Sequence, residues 1–418
     1  DLFYADMDGQ WNASTDGVLL NNRVPGDFIE MQVGRIDFKV VSSDSTDTEI
    51  HLLRAYFDKN HHWRRGRLGD LRDGYGEEGH LTVELFGLRN ILGPSAITPG
   101  GHHDVGEQKP WLWGVDFGHW DGRAYAKDYA NKAVFTLNFG SGKQQFTYPF
   151  NPMTALLAQP WYPLTVGWGG RPAWWLHHMA LGGTIGTAHF RTVNNGRATL
   201  PYRQTMDYFP TGSYMFRNPV WVNLLGDPTL RAFPLAPVSA LQARAAAGGV
   251  ELTWTAPGDA DVRGYKVYRA DTAGADFALI SGASPLPAPG FTDTAPVENA
   301  LYMVRAYGLK EVYAGSFYTL SQGTFARVSP ASETGPAPPL HLSAPAKRPV
   351  PLPKAFNEVT DGQVHALVEG PVLGQLRWQD NRWVYTPPAG FTGDVALRYS
   401  VWDGLQTREG RLSLQITD

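Results

Sequence analysis

Short apolar runs separated by glycine- and proline-rich turns dominate this chain and constrain its fold more than any other feature. Its 418 residues include 46 Gly and 31 Pro, while hydrophobic residues make up 43% and charged residues 18%. Glycine and proline punctuate strands and turns, and both are poorly tolerated inside helices. The composition therefore predicts a strand-rich globular protein, and the length allows two to four domains, with three as the working number.

Residues 1–235 alternate between strand-like and helix-like segments, which favours a parallel α/β sheet. A capping box at Thr46-Asp47-Thr48-Glu49 predicts a helix that continues to Phe57. A second helix is predicted over residues 173–181, ending at Gly182-Gly183. Strands are predicted at Leu2–Tyr4, Phe28–Ile36, Thr82–Phe86, Ala133–Leu137, Leu164–Val166 and Thr184–Ala188.

Charge and composition exclude several classes of function. The formal net charge is −4, and no basic block is present to collect phosphates, which argues against nucleic acid and membrane surfaces as partners. No stretch approaches the roughly 18 apolar residues that a membrane span needs. The chain contains no cysteine, so it forms no disulfide, but this leaves the compartment open.

Three stretches of the first part carry a family resemblance. The sequences of three stretches, and their order in the chain, resemble the gingipain-type cysteine peptidases: Asp1–Asn12, Val33–Ile36 and Asn223–Arg231. The resemblance implies a caspase/gingipain-like α/β domain over residues 1–235. It also implies that this domain is incomplete at its N-terminus, because in the family one or more sheet strands precede the loop that begins at Tyr4.

The same resemblance predicts that catalysis has been lost. In this family a His after a buried strand is the general base, and a Cys after the following strand is the nucleophile. By the resemblance, Phe139 stands in place of the His, and Gly167 or Trp168 stands in place of the Cys. None of these side chains can accept a proton or attack a carbonyl, so no residue remains for general-base catalysis or for nucleophilic attack.

A hydroxyl nucleophile is the competing hypothesis for this domain. Ser141 beside His119 or His189 would be the pair, because a serine needs an adjacent imidazole to be activated. The structural interpretation of Ser141 is a turn residue between two glycines.

Two further domains are predicted after residue 235. Alternating strands at Leu252–Trp254, Gly264–Arg269 and Tyr302–Tyr307 resemble a fibronectin type III domain, placed at 236–330, with Tyr302 on the strand that carries the tyrosine corner. A proline-rich stretch over 329–339 is interpreted as a stiff linker or an extended first strand. The segments Tyr385–Asp394 and Leu397–Gly404 resemble a bacterial cadherin-like or Ig-like repeat, placed at 331–418. The predicted fold class is therefore an α/β domain followed by two all-β Ig-like sandwiches.

Hard oxygen ligands near the N-terminus suggest calcium. Asp6, Asp8, Asn12 and Asp16 lie on one tight loop, which suits an ion with roughly six to eight ligands. An Asx-rich turn without metal explains the same residues. The twelve histidines include three doublets but no zinc-type spacing, and His177 and His178 are interpreted as packing or surface residues of a helix.

Aromatic residues raise a third possibility, a carbohydrate site. Seven tryptophans crowd into one part of the first domain: Trp111, Trp113, Trp120, Trp161, Trp168, Trp174 and Trp175. Large aromatics are usually core residues, so their clustering alone is weak support for a sugar platform. A glycosidase would use carboxylates such as Asp116 and Asp121, facing each other across a groove.

These observations lead to one preferred function and one alternative. The preferred function is a secreted or surface-exposed bacterial protein with a structural or adhesive role, built on a catalytically inactive gingipain-like domain. We expect a sheet edge at residues 1–36 to be covered by another copy of the chain or by an upstream fragment, which would permit filaments. The alternative is an active extracellular hydrolase, either a peptidase with a replaced nucleophile or a carbohydrate-active protein.

Overall fold

The structure is a computed structural model of the full chain. The residues that it describes are 2–5, 7, 11–13, 19–21, 29–42, 49–66, 71–76, 82–100, 110–117, 133–139, 151–159, 162–168, 174–194, 222–272, 274–328, 339–345, 348–353, 359–360, 363–369, 371, 373–379, 382–402 and 407–417. They group into two compact units. The first unit comprises Asp1–Val238, Pro257–Tyr265 and Arg305–Gly323, and the second comprises Ser239–Ala256, Lys266–Val304 and Thr324–Asp418.

Helices and strands alternate along the first part of the chain. The helices are α1 (Leu2–Ala5), α2 (Lys39–Ser42), α3 (Glu49–Arg64), α4 (Thr82–Leu92), α5 (Pro152–Leu157) and α6 (Ile185–Asn194). The strands are β1 (Trp11–Ala13), β2 (Leu19–Asn21), β3 (Arg72–Gly76), β4 (Ile97–Pro99), β5 (Trp111–Phe117), β6 (Ala133–Phe139), β7 (Thr165–Trp168) and β8 (Leu224–Gly226). No helix in the described part of the chain is long and apolar enough to cross a membrane.

Six of these strands form one sheet in the order β4-β3-β5-β6-β7-β8. The four pairs from β4 to β7 are parallel, and β8 runs antiparallel to β7. The central strand β6 is buried from Ala133 to Asn138, as expected for a strand covered on both faces. In the core, Trp113 of β5 stacks on Phe135 of β6 with ring centroids 5.0 Å apart. The expected parallel sheet is confirmed. The caspase/gingipain-like assignment of the domain stays a prediction.

Several predicted elements are confirmed. Helix α3 begins at Glu49, where the capping box predicts it, and continues to Arg64. Strands β6 and β7 lie where buried strands were predicted. The helix expected over 173–181 is a short 3-10 helix, His177–Leu181, and it ends at Gly182 with a φ of 84°. A left-handed residue after a helix favours glycine because no Cβ meets the backbone there.

Four strand predictions are wrong. Leu2–Tyr4 belongs to helix α1, Thr82–Phe86 lies in α4, and Thr184–Ala188 is replaced by a bridge at Thr184 followed by α6. Within Phe28–Ile36, the described residues form no strand, and only Arg35 makes a bridge, to Leu225. The physical reason is clearest in α4, where Leu85, Leu88 and Ile91 are buried at helical spacing, a period that a window of five residues cannot reveal.

The sheet edge at β8 is covered by the chain itself. The N–H of Arg35 donates to the Leu224 carbonyl at 3.0 Å, and the N–H of Gly226 donates to the Arg35 carbonyl at 2.7 Å. These two groups are the outward hydrogen-bonding positions of a strand only three residues long. Arg35 of the same chain therefore covers the β8 edge, and at this contact the expected open edge at residues 1–36 is not found.

The segment after residue 238 folds as a two-sheet β region. Its strands are β9 (Ser239–Ala246), β10 (Gly249–Thr255), β11 (Val262–Ala270), β12 (Ala278–Leu279), β13 (Gly290–Asp293), β14 (Leu301–Val312), β15 (Gly315–Leu320) and β16 (Thr324–Arg327). One sheet has the order β13-β10-β9, and the other has the order β12-β11-β14-β15 with β16 also on β14. Val250, Leu252 and Trp254 of β10 are buried while the residues between them are exposed, which is the alternation predicted from the sequence.

Tyr302 occupies the expected strand, β14, and is fully buried. Its hydroxyl donates to Oδ2 of Asp293 at 2.9 Å, and the same oxygen accepts from Nη1 of Arg269 at 2.8 Å. The tyrosine therefore bonds a side chain on β13, whereas the tyrosine corner of immunoglobulin-like domains bonds the backbone.

The C-terminal segment is also all-β. Its strands are β17 (Leu340–Pro345), β18 (Val350–Pro351), β19 (Val359–Thr360), β20 (Gln363–Glu369), β21 (Gln375–Gln379), β22 (Arg382–Thr386), β23 (Gly393–Trp402) and β24 (Thr407–Thr417). They form the sheets β17-β24-β23-β20-β19 and β18-β22-β21. Alternate residues of β23 and β24, such as Leu397, Tyr399 and Leu412, enter one apolar core. This arrangement of two sheets agrees with an Ig-like sandwich. Residues 329–338, most of the proline-rich stretch, lie outside the described residues.

Candidate functional site

The position that the resemblance gives to the nucleophile is filled by packed side chains. Gly167 lies inside buried strand β7, and a Cβ at this residue would come within 2.7 Å of Leu137 Cδ2 and 2.8 Å of Trp174 Cζ2. The indole Nε1–H of Trp174 donates to the carbonyl of Trp168 at 2.7 Å, which fixes the ring over the strand end. Trp168 and Trp174 are both buried. The described residues thus leave no room for a nucleophilic side chain at Gly167.

The position that the resemblance gives to the general base ends β6. Phe139 is the register partner of Phe117, the last residue of β5. Parallel neighbours end at the same edge of a sheet, so the chain leaves β5 and β6 side by side. Ser141 and His119, two residues beyond these strand ends, lie outside the described residues.

His189 is the one fallback residue that the structure describes, and it is buried in α6. Its Nε2 lies 3.0 Å from the Val222 carbonyl oxygen, so Nε2 carries the proton and donates it. Nδ1 has no hydrogen-bond partner among the described residues. Burial lowers the pKa of His189 to about 4, although the bond to Val222 acts in the opposite direction. The imidazole is therefore neutral at physiological pH and 2% exposed.

A buried carboxylate near this region was missed by the sequence analysis. Glu84 of α4 is fully buried, and its Oε1 accepts a hydrogen bond from the backbone N–H of Trp174 at 3.1 Å. The ring of Trp174 contacts His189 with centroids 5.6 Å apart. The sequence analysis predicts a strand over residues 82–86. The alternation expected of a strand does not mark Glu84 as buried, so its burial was overlooked.

Two of the sequence landmarks meet at the end of β8. A Cβ on Gly34 would lie 2.9 Å from Pro228 Cδ, and Arg35 pairs with β8 as described above. Asp227 accepts from the Thr229 N–H at 2.8 Å, from Thr229 Oγ1 at 2.7 Å and from Asn60 Nδ2 at 3.0 Å, and it forms an ion pair with Arg64. Gly226-Asp227-Pro228, the Gly-Asp-Pro landmark, lies within the Asn223–Arg231 stretch of the resemblance. These contacts give it a structural role in which Asp227 is a turn residue.

The charge of Asp227 is held by its surroundings. Burial raises its pKa, but the hydrogen bonds from Thr229 and Asn60 and the charge of Arg64 outweigh burial and keep the pKa below the ordinary value. The carboxylate therefore stays ionised and bonded both to helix α3 and to its own turn. This accounts for a conspicuous acidic residue without a catalytic role.

Tyr56 of α3 links the same landmark to the sheet. Its hydroxyl donates to the Leu164 carbonyl at 2.9 Å and accepts from the Asp227 N–H at 2.8 Å. The side chain is 1% exposed, and burial raises the pKa of its hydroxyl far above the ordinary value. One hydroxyl thus satisfies two buried backbone groups from different elements.

We expect Tyr56→Phe to lower the free energy of unfolding by about 2 kcal/mol, since it leaves a buried donor and a buried acceptor without their partner. Tyr318→Phe is the matched control, because Tyr318 is 63% exposed and should change stability by less than about 0.5 kcal/mol. Urea unfolding followed by tryptophan fluorescence measures both. Equal midpoints for the two variants would contradict the bridging role.

Lys59 is a half-buried titratable group that the sequence did not single out. Its Nζ donates to the Leu157 carbonyl at 2.7 Å and to the Gln159 carbonyl at 2.9 Å, at the C-terminal end of α5. Burial lowers the pKa of Lys59 to about 7. A cation at this end of a helix is favoured by the backbone carbonyls, so we assign Lys59 a capping role.

The metal and carbohydrate hypotheses meet the described residues only in part. Asp6, Asp8 and Asp16 lie outside them, and Asn12 is described only as a backbone position of β1, so the calcium site stays a prediction. In the described part of the chain, no three His, Asp or Glu side chains come together to hold a metal. His177 and His178 pack ring against ring in the 3-10 helix, with centroids 4.2 Å apart.

Most described members of the tryptophan group belong to the core. Trp111, Trp113, Trp168 and Trp174 are buried and Trp175 is half-buried, whereas Trp120 and Trp161 lie outside the described residues. Buried indoles cannot stack on a sugar ring, so these four buried tryptophans offer no such platform. Asp116 is described only as a backbone position of β5, and Asp121 is not among the described residues, which leaves the carboxylate pair a prediction.

Comparisons with known proteins add little to this picture. No family model matches the chain, and no curated protein matches it. Among solved structures, a Fn3-like protein from Clostridium thermocellum is 19% identical, with 23% of this chain and 97% of that chain covered and a TM-score of 0.18. The selenomethionine-substituted chicken interferon gamma receptor alpha chain is 8% identical, with 44% and 98% covered and a TM-score of 0.19. The chain contains a fibronectin type III-like component. The strand order of the two sheets formed by β9–β16 gives its position in the chain.

Proposed function

We propose that this chain is a secreted or surface-exposed structural or adhesive protein, built on a gingipain-like domain that has lost catalysis and followed by fibronectin type III-like and cadherin-like sandwiches. The packing around Gly167 carries the proposal. A thiol peptidase needs a nucleophile with open space before it, and here Leu137 and Trp174 occupy that space. The absence of cysteine from the whole sequence supports the same conclusion.

Self-assembly belongs to this proposal and is supported by the other edge of the sheet. Strand β4 is the outermost strand there, and among the described residues it pairs only with β3. An outer strand offers free backbone groups to a strand of another copy. The pairing of Arg35 with β8 makes the β4 edge the better place for such an addition.

A second candidate, an active serine-type hydrolase, is favoured by one observation. His119 follows β5 by two residues and Ser141 follows β6 by two residues, and these two strands are adjacent, parallel and in register at Phe117 and Phe139. The gingipain resemblance requires a base after one strand and a nucleophile after the next. His119 and Ser141 follow β5 and β6, one strand earlier than Phe139 and Gly167, which lie on β6 and β7.

One experiment separates the two functions. The purified full chain is incubated with a broad peptide and glycan panel and with a fluorophosphonate probe, while gel filtration and electron microscopy follow assembly. We expect no turnover, no labelling, and filaments or sheets. Ser141→Ala and His119→Ala are the matched variants.

Turnover or labelling that both variants abolish would overturn the structural proposal in favour of the hydrolase. A monomer at all concentrations, without turnover, would overturn self-assembly while leaving the loss of catalysis in place.

A further inference from the structure

A cavity of about 430 Å³ in the first unit has a mainly apolar lining. Its volume falls within the roughly 300–1,000 Å³ that is usual for small-molecule sites. The lining includes three aromatic side chains, Trp63, Phe233 and Tyr313, and two buried aliphatic ones, Ile91 and Leu112. Such a lining favours the apolar part of a ligand, because binding removes that part from water.

The charged part of the lining comes from two segments of the chain. Asp259 and Asp261 belong to the loop between β10 and β11, while Lys310 and Glu311 lie near the end of β14. Three carboxylates stand against one ammonium group, so the lining carries an excess of negative charge. This excess favours a cation as the occupant.

The ammonium group of Lys310 is shared between two carboxylates. Its Nζ lies 2.7 Å from Oδ2 of Asp261 and 3.3 Å from Oδ2 of Asp259. A carboxylate can accept about four hydrogen bonds, and among the described residues Lys310 is the one group that bonds the carboxylate of Asp261. The side chain of Asp261 is 40% exposed, so a ligand from solvent can reach its remaining acceptor positions.

The two aspartates are held in place by the backbone. The N–H of Asp261 donates to Oδ1 of Asp259 at 3.0 Å, and the N–H of Leu309 donates to the Asp261 carbonyl at 3.0 Å. Burial raises the pKa of Asp259, but the hydrogen bonds from the N–H groups of Asp261 and Ala236 and the charge of Lys310 outweigh burial and keep the pKa below the ordinary value. The negative charge is therefore present and positioned before a ligand arrives.

The aromatic part of the lining is positioned in the same way. A Cβ on Gly93 would lie 2.9 Å from Cδ2 of Tyr313, so the tyrosine ring packs directly on a residue without a side chain. The indole Nε1–H of Trp63 donates to the Arg231 carbonyl at 3.0 Å. Aromatic rings attract cations through their faces, so the rings and the carboxylates favour the same kind of ligand.

We propose that this cavity binds a small organic cation, whose ammonium group contacts the carboxylate of Asp261 and whose apolar body packs on the aromatic and aliphatic lining. The ligand's charge balances the negative excess that Lys310 leaves, and its body takes up the apolar volume. This inference does not depend on whether the domain is catalytic.

The test is calorimetric titration of the full chain with 2-phenylethylamine, which carries an ammonium group on an aromatic body. We expect one saturable site with a Kd below about 1 mM. The neutral analogue 2-phenylethanol should bind at least about tenfold more weakly, because it loses the charge-assisted hydrogen bond to the carboxylate. Ethylammonium keeps the charge but lacks the aromatic body, and it should also bind at least about tenfold more weakly.

Two variants with opposite expected effects locate the site. Asp261→Asn should weaken the binding of 2-phenylethylamine at least about fivefold, because the amide carries no charge. Lys310→Gln should strengthen it at least about threefold, since the variant removes the ammonium group that competes for the same carboxylates. Asp276→Asn is the matched control, because Asp276 is exposed and does not line the cavity, and it should change Kd by less than about twofold.

Three results would overturn the proposal. The first is the absence of saturable binding. The second is equal binding of 2-phenylethanol and 2-phenylethylamine, which would mean that the cavity does not select for charge. The third is an equal Kd in Asp261→Asn and Asp276→Asn, which would place the binding elsewhere. The comparison of ligands on the wild type remains decisive if a variant fails to fold.

Discussion

The Gly226→Ala variant should lose about 4 kcal/mol of unfolding free energy or fail to fold. Gly226 ends β8 with a φ of 106°, a conformation that residues with a Cβ rarely adopt. A Cβ there would also press on the carbonyl oxygen of Leu164, at a distance that real Cβ atoms essentially never show. Backbone strain of about 1–3 kcal/mol and overpacking of about 1–3 kcal/mol both apply.

The clash cannot be relieved cheaply because Gly226 is fixed on two sides. Its N–H bonds the Arg35 carbonyl at 2.7 Å, and the residue pairs with Thr165 of β7. Moving it would break the bridge between two of the sequence landmarks.

Gly258→Ala is the matched control for this prediction. A Cβ at Gly258 meets nothing within 4 Å, and its φ is not positive. We expect this variant to stay within about 0.5 kcal/mol of the wild type. Urea unfolding of the soluble variants, together with the yield of folded protein, measures the difference. If both alanine variants behave alike, the tight approach of Gly226 to Leu164 is not present in solution.

The second large effect is an acid sensitivity that depends on His189. Burial lowers the pKa of this imidazole to about 4, against 6.5 for an ordinary His, so the folded state binds fewer protons than the unfolded state between these values. The stability contributed by the neutral imidazole is therefore fully present above pH 6.5 and is lost as the pH falls toward 4. At 1.36 kcal/mol per pKa unit, the loss is about 3 kcal/mol.

The measurement is the difference between wild type and His189→Gln in unfolding free energy at pH 7 and at pH 4. Glutamine can still donate to the Val222 carbonyl but does not titrate, so it should remove about 3 kcal/mol of the pH dependence. Comparing variants is necessary because carboxylates such as Asp227 also lose stability in acid. His341→Gln, at an exposed position of β17, is the control and should leave the pH profile unchanged. An unchanged profile in His189→Gln as well would contradict the burial of His189.

Long elements with a strong period could be predicted from the sequence. Strand β6 is a run of apolar residues and helix α3 has a capping box, and both are found where expected. Helices α4 and α6 were mistaken for strands because five apolar residues fit either period, and only the flanking residues of a helix can decide.

The candidate site was predictable in chemistry but not in geometry. The sequence shows that no thiol exists, and the resemblance predicts Phe139 in place of the base and Gly167 or Trp168 in place of the nucleophile. It could not show that Trp174 occupies the space before Gly167, since that contact joins residues on different elements. Glu84 and Lys59 were missed for the same reason, because their partners Trp174 and Leu157 lie 90 and 98 positions away in the chain.

The sequence by itself determined the chemical inventory of this protein: no cysteine, many glycines, alternating strands after residue 238, and the landmarks Gly34 and Gly226-Asp227-Pro228. Tertiary structure alone decided what these residues do. It brought Gly34 against Gly226 and packed Trp174 against Gly167. The physical reason is that residue type sets which contacts are possible, whereas charge, burial and steric room depend on neighbours that only the folded chain brings together.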